Sequence, residues 1–490
     1  MVNLDTTALG LRDKKDEEMA KGLIVILSDE HRADALSCAG HPFVDTPNLD
    51  ALAADGTRFS DAYTPSPICV PARAAFATGQ HIHKTRHWDN AMPYCGTPES
   101  WGHILQRGGV QVESIGKLHY RDPSDDVGFD QMHIPMMVKD GVGMVWASLR
   151  RENERLSPKG RMLGNEIGAG ESDYTRYDDA VVRHAVQWLK DHAQTDRDRP
   201  WCLYVGLVAP HFPLICPEPF FSKYRKMNLP KPKLLPCDGY KPHPWIAKQN
   251  AFMDSEAKFK SEEERKDAIA AYWGLCEWLD HNIGRILTGL KDSGLDADVI
   301  YSSDHGDNAG DRGLWGKSNM YREAVNVPLI ANVKGVPKGL CETPVSLLDI
   351  SETIPAFFGL EWHGDRPGKP LQDIANQPTE TDREMISQYH AAGSVSGAFM
   401  LRKGRWKYIE YLGFEPELFD LKNDPAEQFN ITVQNPSIVL ELSTALRKHI
   451  DPIAVNEQAF VDQDALIEAH GGREQAINLG AKGATPPPKT

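Results

Sequence analysis

Short apolar runs of strand length alternate with longer stretches in which apolar residues return at helical spacing. Residues 23–28 (LIVILS) form a near-continuous apolar run, the pattern of a strand buried on both faces, and 110–115, 201–208 and 298–302 read as further strands. Between them, Thr46-Pro47 opens a short helix that Gly56 closes, and Thr97-Pro98 opens another that stops at Gly108-Gly109. Amphipathic stretches at residues 177–192 and 262–290 predict two long helices. This alternation predicts an α/β fold with a largely parallel central sheet flanked by helices.

The pattern changes after about residue 380. Residues 385–389, 398–401, 406–411 and 417–421 read as short strands of a meander, followed by helices near 436–449 and 458–470, which predicts a smaller C-terminal α+β subdomain. The expected organisation is a polar N-terminal extension at 1–20, a main α/β domain at 21–380, the subdomain at 381–450 and a helical tail at 451–490 suited to oligomerisation. Pro-rich segments at 230–244 and 486–489 read as loop and tail.

Composition narrows the function classes. In 490 residues, 54 Lys and Arg face 69 Asp and Glu, a formal charge of −15. That balance argues against nucleic acid or an anionic membrane as partner, since binding a polyanion needs a net basic face, but a small anion is compatible with it. No apolar run approaches the roughly 18 residues that span a bilayer. The first twenty residues lack the apolar core of a secretory signal, so the expected location is the cytoplasm. Eight cysteines are scattered without zinc-like spacing, and seven of them read as ordinary reduced residues.

Ligands of a parallel α/β sheet bind outside the carboxyl ends of its strands, so the residues following each predicted strand carry the most information. Ser28-Asp29-Glu30-His31, Gly116-Lys117-Leu118-His119, Ala209-Pro210-His211 and Ser303-Asp304-His305-Gly306-Asp307 follow the four runs. Singly, each Asp reads as a cap and each His as a satisfied polar residue. Together, carboxylates and an imidazole suit a divalent cation of the calcium, magnesium or manganese type, with Lys117, His119 and His211 as donors around an anion.

The segment 65–79 (PSPICVPARAAFATG) adds a nucleophile. Pro71 suits a first helical position, which sets Cys69 just before a helix N-terminus that favours an anion, with Arg73 one turn further on. A thiol in that setting is expected to have a depressed pKa. The plainer alternative is a buried Cys beside a solvent-facing Arg.

Cys69-Val70-Pro71-Ala72-Arg73 resembles the Cys-x-Pro-x-Arg signature of the sulfatase family, in the alkaline phosphatase superfamily. The resemblance extends over residues 20–430 and includes Asp29, TPNLDALAADGTRF (46–59), GKLH (116–119), PHFP (210–213), SDHGD (303–307), GLWGK (313–317), LFDL (418–421) and Asp424-Pro425. It implies an alkaline-phosphatase-like fold and conversion of Cys69, by a formylglycine-generating enzyme, to formylglycine, whose hydrated aldehyde attacks a sulfate monoester. It further implies Asp29, Asp304, His305 and residue 69 as metal ligands, Arg73, Lys117, His119, His211 and Lys317 as catalytic groups, and Asn90 as a contact to the bound ester. Glu30 stands where many arylsulfatases have a second Asp ligand, and its participation stays open. His305 in place of the commoner Asn resembles choline sulfatases and phosphonate monoester hydrolases and tilts the metal preference from calcium toward manganese.

The expected function is hydrolysis of aryl or small alkyl sulfates by a homo-oligomer, a dimer or tetramer. The alternatives are a phosphonate monoester or phosphodiester hydrolase using the same clamp, and a silent anion-binding protein in which Cys69 stays a thiol. Trp88, Met92, Tyr94, Trp315, Tyr321 and the Met136-Met137 pair are candidate walls of the leaving-group pocket.

Overall fold

The computed structural model describes residues 22–151, 163–164, 166–195, 199–480 and 485–489. The expected extension at 1–20 lies outside them.

The strands expected to be buried on both faces form the centre of one large sheet. We label its strands β1 (Gly22–Asp29), β2 (Thr57–Tyr63), β3 (Gln111–Lys117), β4 (Gln131–Met136), β5 (Trp201–Pro210), β6 (Ala297–Ser303), β7 (Asn326–Asn332) and β8 (Gly339–Cys341). Their spatial order is β8-β2-β7-β6-β1-β5-β3-β4, and the two-residue strand Val345–Ser346 pairs with β2. Strand β1 lies between β5 and β6 and runs parallel to both, with Ile24 opposite Leu203 on one side and Val299 on the other. All eight residues of β1 and all ten of β5 are buried, because helices cover both faces.

On one face pack the helices Asp173–Thr195 and Glu262–Ser293, where Val181, Ala185 and Leu189 meet Leu279, Ile283 and Ile26 in one core. On the other lie Cys69–Thr78 and Leu347–Phe357, whose Ala74, Phe76 and Ile350 pack with Val25 and Tyr204. The expected helix boundaries hold to within a few residues: Ser100, rather than Thr97-Pro98, caps Trp101–Arg107, and Cys69 itself, not Pro71, is the first residue of its helix.

Four of the labelled strands, β2, β4, β7 and β8, have no counterpart in the sequence reading. Strand β7 runs antiparallel to both β2 and β6 and reverses the sheet next to β6. A separate antiparallel sheet of Met385–Tyr389, Ala398–Lys403, Trp406–Tyr411 and Glu417–Asp420 matches the expected meander. One face packs its Tyr389, Met400 and Ile409 against Tyr63, Ile68 and Tyr321 of the main body, and the other is covered by the helix Pro436–His449.

Candidate active site

Three strands end at the site. Asp29 closes β1, Lys117 closes β3, and Asp304 and His305 follow β6 directly, so parallel neighbours deliver their polar ends to one place. Lys117 emerges beside β5 because the backbones touch there: Gly116 has φ +97°, and a Cβ on it would sit 2.2 Å from the carbonyl oxygen of Gly206. His211 follows β5, whose last turn is held by Asp178, its two carboxylate oxygens accepting the N–H groups of Val208 and Ala209 at 2.8 Å each.

The helix Cys69–Thr78 supplies the remaining core of the site, and all ten of its residues are buried. Ile68 offers no side-chain cap, and the N–H of Val70 instead donates to Oδ1 of Asn90 at 3.1 Å. Cys69 Sγ lies 3.5 Å from Asp29 Oδ1 and 3.3 Å from His305 Nε2. One ligand atom from each of Asp29, Cys69, Asp304 and His305 lies within 4.8 Å of the others.

Arg73 does not face solvent. Its Nε donates to Asp304 at 2.8 Å, one terminal nitrogen reaches Asp29 at 3.1 Å, and the other donates to Tyr204 Oη at 3.0 Å and to the Lys117 carbonyl at 3.1 Å. Lys117 Nζ lies 2.6 Å from Asp29 Oδ2. Burial alone would raise Asp29, but Lys117, His211, Arg73 and His305 outweigh it and hold its carboxyl well below the usual range. Asp304 is pushed the other way, to about 6, by burial and by the Asp29 charge. Two buried carboxylates side by side are the donor chemistry of a hard divalent cation. The charges point the same way: Arg73, Lys117 and Lys317 formally cancel Asp29, Asp304 and Glu30, so a divalent cation would leave the site positive toward an anionic ester.

Glu30 sits in the left-handed region at φ 68°, and its carboxylate accepts from Lys317 Nζ. It thus lies outside the group formed by Asp29, Cys69, Asp304 and His305, although with Asp29 and His211 it forms a second group of close ligand atoms. Lys317 also lies 3.1 Å from His211 Nε2. Burial lowers Lys317 to about 8 and His211 to about 3.

His119, at φ 58°, places its Nε2 2.9 Å from Oγ1 of Thr485, and Tyr174 Oη donates to the Thr485 carbonyl at 2.6 Å. The ring of Tyr174 meets that of His211 edge-on at 5.6 Å. Burial lowers His119 well below the usual imidazole range, with Lys117 adding to the effect.

The structure therefore brings together every residue named above as metal ligand or catalytic group, with Asn90 at the head of the helix. It reverses one expectation: burial, reinforced by Asp29, raises the Cys69 thiol well above its ordinary value, since the nearby Lys117 and Arg73 charges are outweighed. His31 and Asp307 are structural. The former bonds Tyr301 and the Ala35 carbonyl, and the latter accepts the N–H groups of Ala309 and Gly316. Of the suggested pocket walls, Trp88, Tyr94, Met136, Trp315 and Tyr321 are buried in packing clusters. Tyr174, Tyr204 and Thr485 were not singled out. A lone Tyr inside the apolar run of β5 is a signal that could have found Tyr204, because a buried phenol needs a polar partner.

Buried acidic side chains at a helix N-terminus, with Arg73, Lys117 and Lys317 beside them at the carboxyl ends of a parallel sheet, form a site suited to a divalent cation and a small anion. The sulfatase family model matches residues 21–360, and the model for the C-terminal part of N-sulphoglucosamine sulphohydrolase matches residues 310–455. The chain belongs to the sulfatase family, the sulfuric ester hydrolases. It is similar to a choline-sulfatase of Rhizobium meliloti (strain 1021), 32% identical over 429 residues that cover 84% of this chain and 82% of the relative. An arylsulfatase K of Danio rerio is 27% identical over 478 residues, 90% of this chain and 87% of the relative. The fold is shared with the crystal structure of a phosphonate monoester hydrolase of Agrobacterium radiobacter, at TM-score 0.71 and 22% identity, covering 89% of this chain and 96% of that one.

Proposed function

We propose that the protein hydrolyses aryl or small alkyl sulfate monoesters with residue 69 as the nucleophile and a single divalent cation, calcium, manganese or magnesium, held by Asp29, Asp304, His305 and residue 69. The observation that carries this reading is the convergence of those four ligand groups at the first residue of a buried helix. The cation would supply charge that acidifies the nucleophile and neutralises ester oxygens. Conversion of Cys69 to formylglycine by a formylglycine-generating enzyme would supply an oxygen nucleophile in place of a thiol that burial keeps protonated.

The other side chains have distinct tasks. Arg73 locks both carboxylates in one orientation. Lys117, against Asp29, is placed to meet the ester oxygens, and Asn90, pinned by the Val70 N–H, presents its amide donor beside them. His119 takes a proton from the nucleophile. Lys317 gives one to the departing oxygen while neutral His211 holds it. Action as a homo-oligomer in the cytoplasm belongs to the same reading; among the described residues no helix is long and apolar enough to cross a membrane.

A second reading, hydrolysis of phosphonate monoesters or phosphodiesters, is favoured by His305 as a ligand and by the shared tetrahedral geometry of sulfuryl and phosphoryl centres. The test is turnover of an aryl sulfate, choline sulfate and a phosphonate monoester by protein with verified formylglycine, loaded with manganese or calcium. Release of phenol from the aryl sulfate is expected. Turnover of the phosphonate alone would replace the first reading by the second, and no turnover of any of the three esters with formylglycine in place would leave an anion-binding protein.

A further inference from the structure

We propose that Gln463 is a positioning residue that fixes Asn90, and through it the start of the nucleophile helix, from outside the segments the family models match. Gln463 lies on the helix Pro452–Ala469, all but the first turn of which follows residue 455. The proposal rests on the functional reading above only in giving Asn90 an ester to meet.

Gln463 is fully buried, and every polar atom of its amide is engaged. Oε1 accepts from Arg150 at 2.7 Å, while Nε2 donates to Asp89 Oδ2 at 2.6 Å and to the His390 carbonyl at 2.9 Å. A guanidinium can only donate and a carboxylate only accept, so the amide has one possible orientation. Asp89, itself buried, also accepts from Ser148 Oγ at 2.7 Å and from the Ala91 N–H at 2.8 Å. The preceding residue on the same helix, Asp462, accepts the indole N–H of Trp88 at 2.7 Å. Two consecutive helix residues thus grip two consecutive residues of the segment Trp88-Asp89-Asn90.

Asn90 comes next, and its Oδ1 takes the Val70 N–H that no capping side chain of Ile68 serves. Because an N–H only donates, the atom facing Val70 is the amide oxygen, and the NH2 group of Asn90 makes no hydrogen bond to the described residues. Apolar packing of Leu466 and Ile467 on Ala91, Val145 and Leu149 holds the same helix down. The chain Gln463, Asp89, Asn90, Val70 thus ends one residue from the nucleophile.

The test combines Gln463→Ala, Asn90→Ala and the double variant. Gln463→Met guards against misfolding, because it keeps the side-chain length and removes the donor to Asp89 without setting a second carboxylate against it, and its Tm separates lost positioning from lost folding. Each single variant is expected to lose about 10-fold to 100-fold in kcat/KM for an aryl sulfate, the scale of a small misplacement of a reacting group, and the double variant no more than Asn90→Ala. Multiplying losses would mean a merely structural role and overturn the proposal. Amide exchange of the peptide spanning residues 66–76 reads the same link without any substrate. It is expected to accelerate in the Gln463 variants, and unchanged exchange would overturn the proposal whatever the activity. Faster exchange in a protein that turns over no ester would sink the functional reading alone.

Discussion

The ammonium of Lys317 lies 3.1 Å from Nε2 of His211, and the two are not interchangeable as proton donors. His211 Nδ1 is 2.5 Å from the Phe212 carbonyl, which can only accept, so the ring proton is on Nδ1 and Nε2 presents a lone pair to Lys317. The transferable proton therefore sits on Lys317. Burial lowers Lys317 to about 8, so its acid form is lost as pH rises through that value. The kcat profile is expected to fall on its alkaline side near pH 8, and Lys317→Ala is expected to flatten that limb. The same variant should lose roughly 10²-fold to 10⁴-fold on alkyl sulfates and far less on nitrophenyl sulfate, whose leaving group needs no proton. An unchanged alkaline limb in Lys317→Ala would reassign the acid.

Cys69, if left unmodified, is expected to be inert. It is 1% exposed, and burial keeps its thiol protonated, whereas Cys237 is exposed. Brief iodoacetamide treatment of the folded protein followed by peptide mass spectrometry should label Cys237 and spare Cys69. Cys69→Ala is expected to abolish turnover, and full activity in that variant would remove residue 69 from the chemistry.

Arg73→Ala leaves Asp29 and Asp304 facing each other without their shared partner. Removing one member of a buried ion-pair network costs about 3–5 kcal/mol, and denaturant unfolding should show a loss on that scale. Arg73→Lys should recover only part of it, because one ammonium cannot serve the two carboxylates, Tyr204 and the Lys117 carbonyl in the fixed fork of a guanidinium.

Metal affinity is expected to weaken with acid. Asp304 must be ionised to bind, and with its carboxyl raised to about 6 it takes up a proton as pH falls through that value. Calorimetric titration with manganese at pH 7.5 and 5.5 should show tighter binding at the higher pH and proton release at the lower, where Asp304 of the metal-free protein still carries its proton. Chelation should lower Tm, since a ligand at 100 times its Kd adds about 2.7 kcal/mol to the folded state.

Much of the fold and site was readable because it is local. Strands β1 and β5 are almost wholly apolar and stand out in the chain, and β1, β3, β5 and β6 end at or just before the residues that carry chemistry. Strands β2 and β7 escaped for physical reasons: TRFSDAY is half polar because β2 is not buried along its whole length, and Pro328 inside NVPLIAN argues against an internal strand. The direction of the Cys69 shift could not be read locally either. Helix position and Arg73 were visible in the chain, but the closeness of Asp29 and complete burial are properties of the packed site. The contact between Gln463 and Asp89 spans 374 residues, and no spacing rule reaches that far.

The full burial of the helix Cys69–Thr78 sets an order of events. Another enzyme could rewrite the side chain of residue 69 only where it can reach that segment, and the finished molecule exposes none of those ten residues. Conversion must precede closure of the sheet ends around the segment, while the chain is still emerging or held open. On the proposed reading, activity would be decided during biogenesis: a molecule that folds first as the thiol would be locked out, and the active fraction of a preparation would measure a race between modification and folding.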